Sequence, residues 1–360
     1  MRILAVTDGS EASVEAIMPL NGLVPIDLHV LPKTVPSTLR SAEVVLVCLA
    51  RFRSKSFEGF FSWFANQGLA RASFVLCMPA ADIARFAHAL REKKITAIPT
   101  PVKANNLFDA LERSYRPFAQ HRRRSANIGE KTAQAISNTF TSSMGANNLA
   151  PAKAAGQVSG AAPVVTKSID VTGLAEWMQI SAKHHSSTAR HSMSSGGIAS
   201  EWARQLGFST IDRERFTRAA LLQDIGKITI PVALLEKQSQ LSIEDKATLQ
   251  SHVEEGKKLL LEDPKACGVA LEVAYSHHEL LDGSGYPRGI GGSDINDITR
   301  CLTIIDVYSA LVHQRAYRKG LTPMDAYDIL VSMSGKLDPV FTNEFRVIIE
   351  SHQAELKAAA

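Results

Sequence analysis

Cysteine is scarce in this chain. Four cysteines in 360 residues, at positions 48, 77, 267 and 301, lie far apart and none forms a CxxC pair, which excludes a disulfide framework. They read as buried thiols in a reducing compartment. Long hydrophobic runs are also missing, and no segment approaches the roughly 18 apolar residues of a membrane span. The opening MRILAVTDGS has one Arg and a short apolar run, without the length or cleavage site of a secretion signal. These absences point to a cytoplasmic protein. Strong charge of one sign is absent as well. A formal net charge of +4 argues against an extended nucleic-acid surface, and hence against DNA as a partner, while leaving room for a local basic pocket. The only dense basic run, HRRR at 121–124, reads as a solvated cluster.

What is present suits a soluble globular protein, with 45% hydrophobic and 21% charged residues. The length suggests two domains and a connector. In the first part, RILAVT (2–7), EVVLVCL (43–49), SFVLCM (73–78) and TAIPT (96–100) read as short strands. A helical pattern, DIARFAHALREKK, lies among them, and PVKANNLFDALERS follows with Asn105 or Asn106 as a helix cap. Strands alternating with helices predict a doubly wound α/β domain with a parallel sheet over residues 1–113. Its order and size resemble a response-regulator receiver domain. The receiver family carries an acidic pair after the first strand, an acceptor Asp after the third and a Lys after the fifth. This chain has Thr7 and Asp8, then VCLARF without an Asp, then Thr100 before Pro101. One Asp is not a divalent-cation site. Residues 1–113 are therefore expected to be a degenerate receiver-like domain used for docking or for pairing in a homodimer.

Residues 114–168 are rich in Ala, Ser, Gly, Asn and Pro and read as a flexible linker, with one short helix at EKTAQAISNTF. From 169 to 360 apolar residues recur at three- and four-residue spacing, with Gly and Pro between segments, and predict an all-α helical bundle. Near the ends of those helices stand His191, Asp224, His252, the adjacent His277 and His278, and Asp306. Mixed imidazole and carboxylate donors suit Fe, Mn, Ni or Zn, as one ion or as two held by a bridging Asp.

The stretch HHELLDGSGYPRG (277–289) sets the two His beside a turn with Gly283, Gly285 and Pro287. Here the chain resembles the HD-GYP family, the bacterial phosphodiesterases of cyclic di-GMP within the HD hydrolase superfamily. DIGKITIPVALLEK (224–237), the helix around His252, IIDVYSALVHQRAYR (304–318) and LDPVF (337–341) fall in the family's order. The resemblance implies that His191 and Asp306 bind a first ion, that Asp224 bridges two ions, and that His252, His277 and His278 complete the second shell. It gives Lys227, Arg315 and Arg318 to the substrate phosphates. It gives Gly285, Tyr286 and Pro287 to a loop that shapes the cleft and meets protein partners such as a diguanylate cyclase. The implied reaction is metal-assisted hydrolysis of a phosphodiester.

Three positions depart from the family pattern. Gln223 replaces the first letter of the HD pair, Ser187 stands where some members carry a Glu, and Ser309 replaces an Asp. A neutral amide is a weaker ligand than imidazole, so the first ion should bind more loosely while the second site is whole. Two readings follow: a phosphodiesterase of weakened activity, or an inactive module that binds cyclic di-GMP or docks a partner.

Overall fold

The structure, a computed structural model, describes residues 3–7, 10, 11, 14, 17, 26–30, 44–49, 72–93, 95–144, 150–263, 268–312 and 320–359. The chain divides into two compact units, Met1–Arg124 and Ser125–Ala360.

In the first unit five short runs form strands β1 (Ile3–Thr7), β2 (Ile26–Val30), β3 (Val44–Cys48), β4 (Ser73–Met78) and β5 (Thr96–Pro99). All pair in parallel, in the order β2-β1-β3-β4-β5. Period-two alternation divides the apolar side chains between two faces. Ile3, Ala5, Val44, Leu46, Val75 and Cys77 pack on one side with Leu107, Ala110 and Leu111. Leu4, Val6, Val45, Val47, Leu76 and Met78 pack on the other with Leu90. Burial on both faces is why these strands read as continuous apolar runs. The strand β2, IDLHV, was not legible in this way because Asp27 and His29 interrupt its apolar residues. The helical pattern after β4 forms two short helices, α1 (Ala80–Arg85) and α2 (Ala87–Glu92). Asp8 lies outside the described residues.

The linker expected over 114–168 needs correction. Its described residues are helical almost throughout: α3 runs from Ala104 to Met144, followed by α4 (Pro151–Gly160) and α5 (Ala162–Thr172). The composition misled because Ala and Ser are small rather than unstructured. Ala133, Ile136 and Phe140 of α3, Ala154, Ala155 and Val158 of α4, and Ala162, Val165 and Ile169 of α5 are buried in the core of the helical unit. Small side chains allow such helices to pack closely. Asn105 and Asn106 sit inside the first turn of α3 rather than before it.

The rest of the second unit is helical: α6 (Leu174–Ala182), α7 (Ser187–Gln205), α8 (Thr210–Leu222), a 3₁₀ turn (Ile225–Thr229), α9 (Val232–Leu235), α10 (Ile243–Gln250), α11 (His252–Leu261), α12 (Gly268–Ser276), α13 (Asp297–Val312), α14 (Pro323–Ser332) and α15 (Pro339–Ala359). A ring cluster anchors its centre. Trp202 meets Phe345 edge-on with ring centroids 4.8 Å apart, and Tyr308 meets the same ring at 5.1 Å. Among the described residues no helix is long and apolar enough to cross a membrane.

Phe140 separates the two views of the 114–168 segment. Phe140→Ala should destabilise the helical unit by about 3–5 kcal/mol, read from urea unfolding, as truncation of a buried aromatic does. A solvated linker side chain would change stability by no more than about 0.5 kcal/mol.

Candidate metal centre

Five chain segments meet at the site, each delivered by a local feature of the sequence. Ser186 caps α7 by accepting from the Ala189 N–H, which starts the helix one turn before His191. Helix α8 ends at Gln223, and Asp224 opens the 3₁₀ turn that carries Lys227. Gly226 in that turn lies against the start of α11. A Cβ there would collide with the His252 carbonyl and the Gly256 nitrogen, so only glycine lets the turn and the helix approach so closely. His277 and His278 follow α12, and Asp306 and Ser309 lie on α13. Gly285 holds the following loop in place, because a Cβ would meet Glu279 Cα and the Leu280 nitrogen. The Tyr286 N–H donates to the His278 carbonyl at 3.2 Å, and the Tyr286 ring stacks on the His278 ring at 4.7 Å.

Asp224 is fully buried and uses its two oxygens differently. Its Oδ2 accepts from Lys227 Nζ at 2.7 Å and lies 3.6 Å from His191 Nε2. Its Oδ1 faces His252 Nε2 at 3.3 Å and His277 Nε2 at 3.7 Å. Those two imidazoles donate from Nδ1 to backbone carbonyls, His252 to Leu249 at 2.6 Å and His277 to Val273 at 3.0 Å. A carbonyl cannot donate, so each Nδ1 carries the proton and each Nε2 presents a lone pair. Asp224 Oδ1, His252 Nε2 and His277 Nε2 are all buried without a hydrogen-bond partner. Three acceptors aimed at one another in a buried pocket repel unless a cation lies among them. With His278 they form a set whose ligand atoms lie within 4.8 Å of one another. His ligands whose second nitrogen is tied to a carbonyl are the ordinary arrangement of metal centres. These residues fit a divalent ion.

The other set, His191, Asp224 and Asp306, is arranged differently. Gln223 Nε2 lies 3.3 Å from Ser195 Oγ, Ser195 Oγ 3.0 Å from Ser309 Oγ, and Ser309 Oγ 2.8 Å from His191 Nδ1. His191 Nε2 lies 2.8 Å from Asp306 Oδ1, which also accepts from Gln223 Nε2 at 3.0 Å. With protons running from Gln223 through Ser195 and Ser309 to His191, and from His191 to Asp306, the groups form a closed ring, while Gln223 Oε1 is buried without a partner. The Gln223 amide nitrogen thus stands as a donor to Asp306, where a cation would otherwise face that carboxylate.

Electrostatics follow the same division. Burial pushes the Asp224 carboxyl upward, but the Lys227 ammonium against Oδ2 holds the group well below the usual carboxylate range. Asp306, likewise opposed by burial, is held low by its bond to His191. Burial lowers the pKa values of His252 and His278 and raises that of the Tyr286 phenol.

Of the residues expected at the site, His191, Asp224, Lys227, His252, His277, His278, Asp306, Gln223 and Tyr286 come together. Gly285 and Pro287 lie in the adjoining loop. Ser187, exposed on the first turn of α7, lines the mouth of a cleft of about 590 Å³ that also contains His191, Lys227, His252, His278, Tyr286 and Asp306. Arg315 and Arg318 lie outside the described residues. Sequence reasoning missed Ser195, one helical turn after His191, and Arg190, which also lines the cleft. Its adjacency to His191 was the one available signal for Arg190.

Fold and site together define a helical domain with a buried His and Asp cluster that fits a divalent metal. Residues 177–340 match the family model for the HD domain. A 3′3′-cGAMP-specific phosphodiesterase of Vibrio cholerae is 38% identical over 138 residues, 38% of this chain and 30% of the relative. A cyclic di-GMP phosphodiesterase of Pseudomonas aeruginosa is 30% identical over 152 residues, 42% of this chain and 37% of the relative. A cyclic di-GMP phosphodiesterase response regulator of Xanthomonas campestris is 35% identical, over 39% of this chain and 38% of the relative. The chain thus spans about a third of the length of these curated relatives. Among solved structures, an HDG"Y"P protein from Bdellovibrio bacteriovorus shares the fold, with a TM-score of 0.51, 18% identity, and coverage of 66% of this chain and 80% of that one.

Lowered pKa values at His252 and His278 give the site a definite pH response. A proton competes with a metal only where the imidazole is protonated, and a depressed pKa moves that range below the ordinary value of 6.5. Affinity for Mn(II), measured by equilibrium dialysis, should be nearly flat from pH 8 to 7 and fall only in acid below about pH 6. A steep loss already between pH 8 and 7 would contradict neutral, buried imidazoles.

Proposed function

We propose that the helical unit is a metal-dependent phosphodiesterase acting on a cyclic dinucleotide, with cyclic di-GMP the first substrate to test. The observation that carries this reading is the convergence of three buried, unpartnered acceptors, from Asp224, His252 and His277, next to a cleft lined by His252, His278 and Lys227. The names of the relatives support the substrate class. A divalent ion bound there supplies Lewis acidity toward a phosphoryl oxygen and lowers the pKa of a water. Asp224, His252, His277 and His278 would hold it, and mixed N and O donors suit Fe, Mn, Ni or Zn. Lys227, fixed by Asp224, presents an ammonium to a phosphate oxygen as negative charge develops. Tyr286 lines the cleft, and the outer side of the loop that carries it with Gly285 and Pro287 is the proposed contact for a signalling partner such as a cyclase. Arg315 and Arg318 keep their proposed phosphate roles.

The reading includes one firmly bound ion rather than two, because His191 and the Gln223 amide nitrogen already donate to Asp306. That same ring favours a second reading, a module that binds the dinucleotide without cutting it. The first unit would then be the regulatory part of the chain. Its parallel strand order agrees with a doubly wound receiver-like fold, and no Asp stands at the end of β3 to accept a phosphoryl group.

Protein prepared without oxygen and supplied with Mn(II) or Fe(II) should hydrolyse cyclic di-GMP and contain about one ion per chain. Asp224→Ala should lose the metal, with affinity down at least ~10–100-fold, and all turnover. Gln223→His should raise the metal content toward two and increase turnover. Binding of the dinucleotide without any turnover, at full metal loading, would instead establish the module reading.

A further inference from the structure

The cleft contains three cations among the described residues, and two are already neutralised. Lys227 donates to Asp224 at 2.7 Å and Lys237 to Asp245 at 2.5 Å. Arg190 is the exception. Its Nη1 donates to the carbonyls of His184 at 2.7 Å and His185 at 2.8 Å, and among the described residues no carboxylate pairs with it. These two bonds, from the loop before α7, hold the half-buried side chain by one end of its fork. The remaining guanidinium donors are left for the cleft that Arg190 shares with its neighbour His191. A guanidinium half removed from water, anchored by backbone and lacking a counter-charge, is an anion receptor in waiting. The fork suits two oxygens of one phosphate.

We infer that Arg190 binds a phosphate of the nucleotide ligand and sets the affinity of the cleft for it, a role that rests on the phosphodiesterase reading above. A cyclic dinucleotide carries two phosphodiesters. While one faces Lys227 and the His and Asp centre, the other meets Arg190. Such recognition is blind to the bases, because the fork reads only phosphate oxygens.

The test uses the full chain loaded with Mn(II) and cleavage-resistant phosphorothioate analogues of cyclic di-GMP and 3′3′-cGAMP, with binding followed by calorimetry. Arg190→Gln keeps a donor for the two loop carbonyls and removes the charge. It should weaken both analogues by a similar factor, about 10- to 100-fold, with metal content and melting temperature at the wild-type level. Arg190→Lys should fall between the two proteins, and the salt dependence of binding should be shallower in the Gln variant than in the wild type. Wild-type affinity in Arg190→Gln overturns the inference. So does a loss confined to one analogue, which would mean a base contact, or a loss accompanied by a lower metal content or melting temperature, which would mean a structural role. A wild-type protein that binds neither analogue brings down the phosphodiesterase reading and this inference with it.

Discussion

The helical unit is organised around one buried carboxylate. Removing an ionised carboxyl from water is expensive, and the cost is met only if both oxygens find positive or hydrogen-bonding partners. Asp224 meets this condition on one side through Lys227, three residues along the same turn. On the other side it faces lone pairs of His252 and His277. The protein alone therefore completes half of the carboxylate's surroundings, and the unfinished half is where a cation belongs. Much of the local architecture serves this geometry: glycine at 226 brings α11 against the turn, and backbone carbonyls at Leu249 and Val273 fix the two imidazoles in the tautomer that leaves Nε2 bare.

How much of this was legible in the sequence depended on whether a residue's role was set by its own chemistry or by its neighbours. The strands β1, β3, β4 and β5 could be read because a sheet buried on both faces demands continuous apolar runs. The helices around His191, Asp224 and Asp306 could be read from their periodicity. The 114–168 segment was misread because Ala, Ser and Gly give no amphipathic contrast. Whether such residues pack tightly or stay solvated is decided by what faces them, here the side chains gathered around Phe140 and Val165. The ligand set was recognisable as residue types in order. Arg190 was not, because an arginine without a carboxylate partner is identified only when its surroundings are known.

Gln223 shows the same limit in sharper form. In sequence it reads as a poor ligand in place of a good one. In the folded chain its amide is a donor, tied to Asp306 and Ser195, and it joins a ring that runs through Ser309 to His191. Ser309 belongs to the same substitution in physical terms. A hydroxyl can both accept from Ser195 and donate to His191, so it closes the ring, whereas an ionised carboxylate can only accept. Two departures 86 positions apart in the sequence are thus one change in the site.

Charge balance ties that change to Arg190. Within the centre, the buried Asp224 and Asp306 contribute two negative charges and the half-buried Lys227 one positive, leaving a net of −1. Two divalent ions would bring the centre to +3, ample for a ligand with two phosphodiesters. One ion brings it only to +1, one charge short of the dianion. On the proposed reading, the guanidinium of Arg190, in the same cleft and without a carboxylate partner among the described residues, would supply that missing charge. A fixed arginine is not equivalent to a metal ion, since it offers hydrogen bonds and a localised positive charge but no Lewis acidity toward phosphorus and no activation of water. Replacing one with the other preserves attraction for the ligand more fully than it preserves chemistry. On the proposed reading, a chain with an amide at position 223 and, among the described residues, an arginine at position 190 without a carboxylate partner would be biased toward holding a dinucleotide, with cleavage left to a single ion at Asp224, His252, His277 and His278.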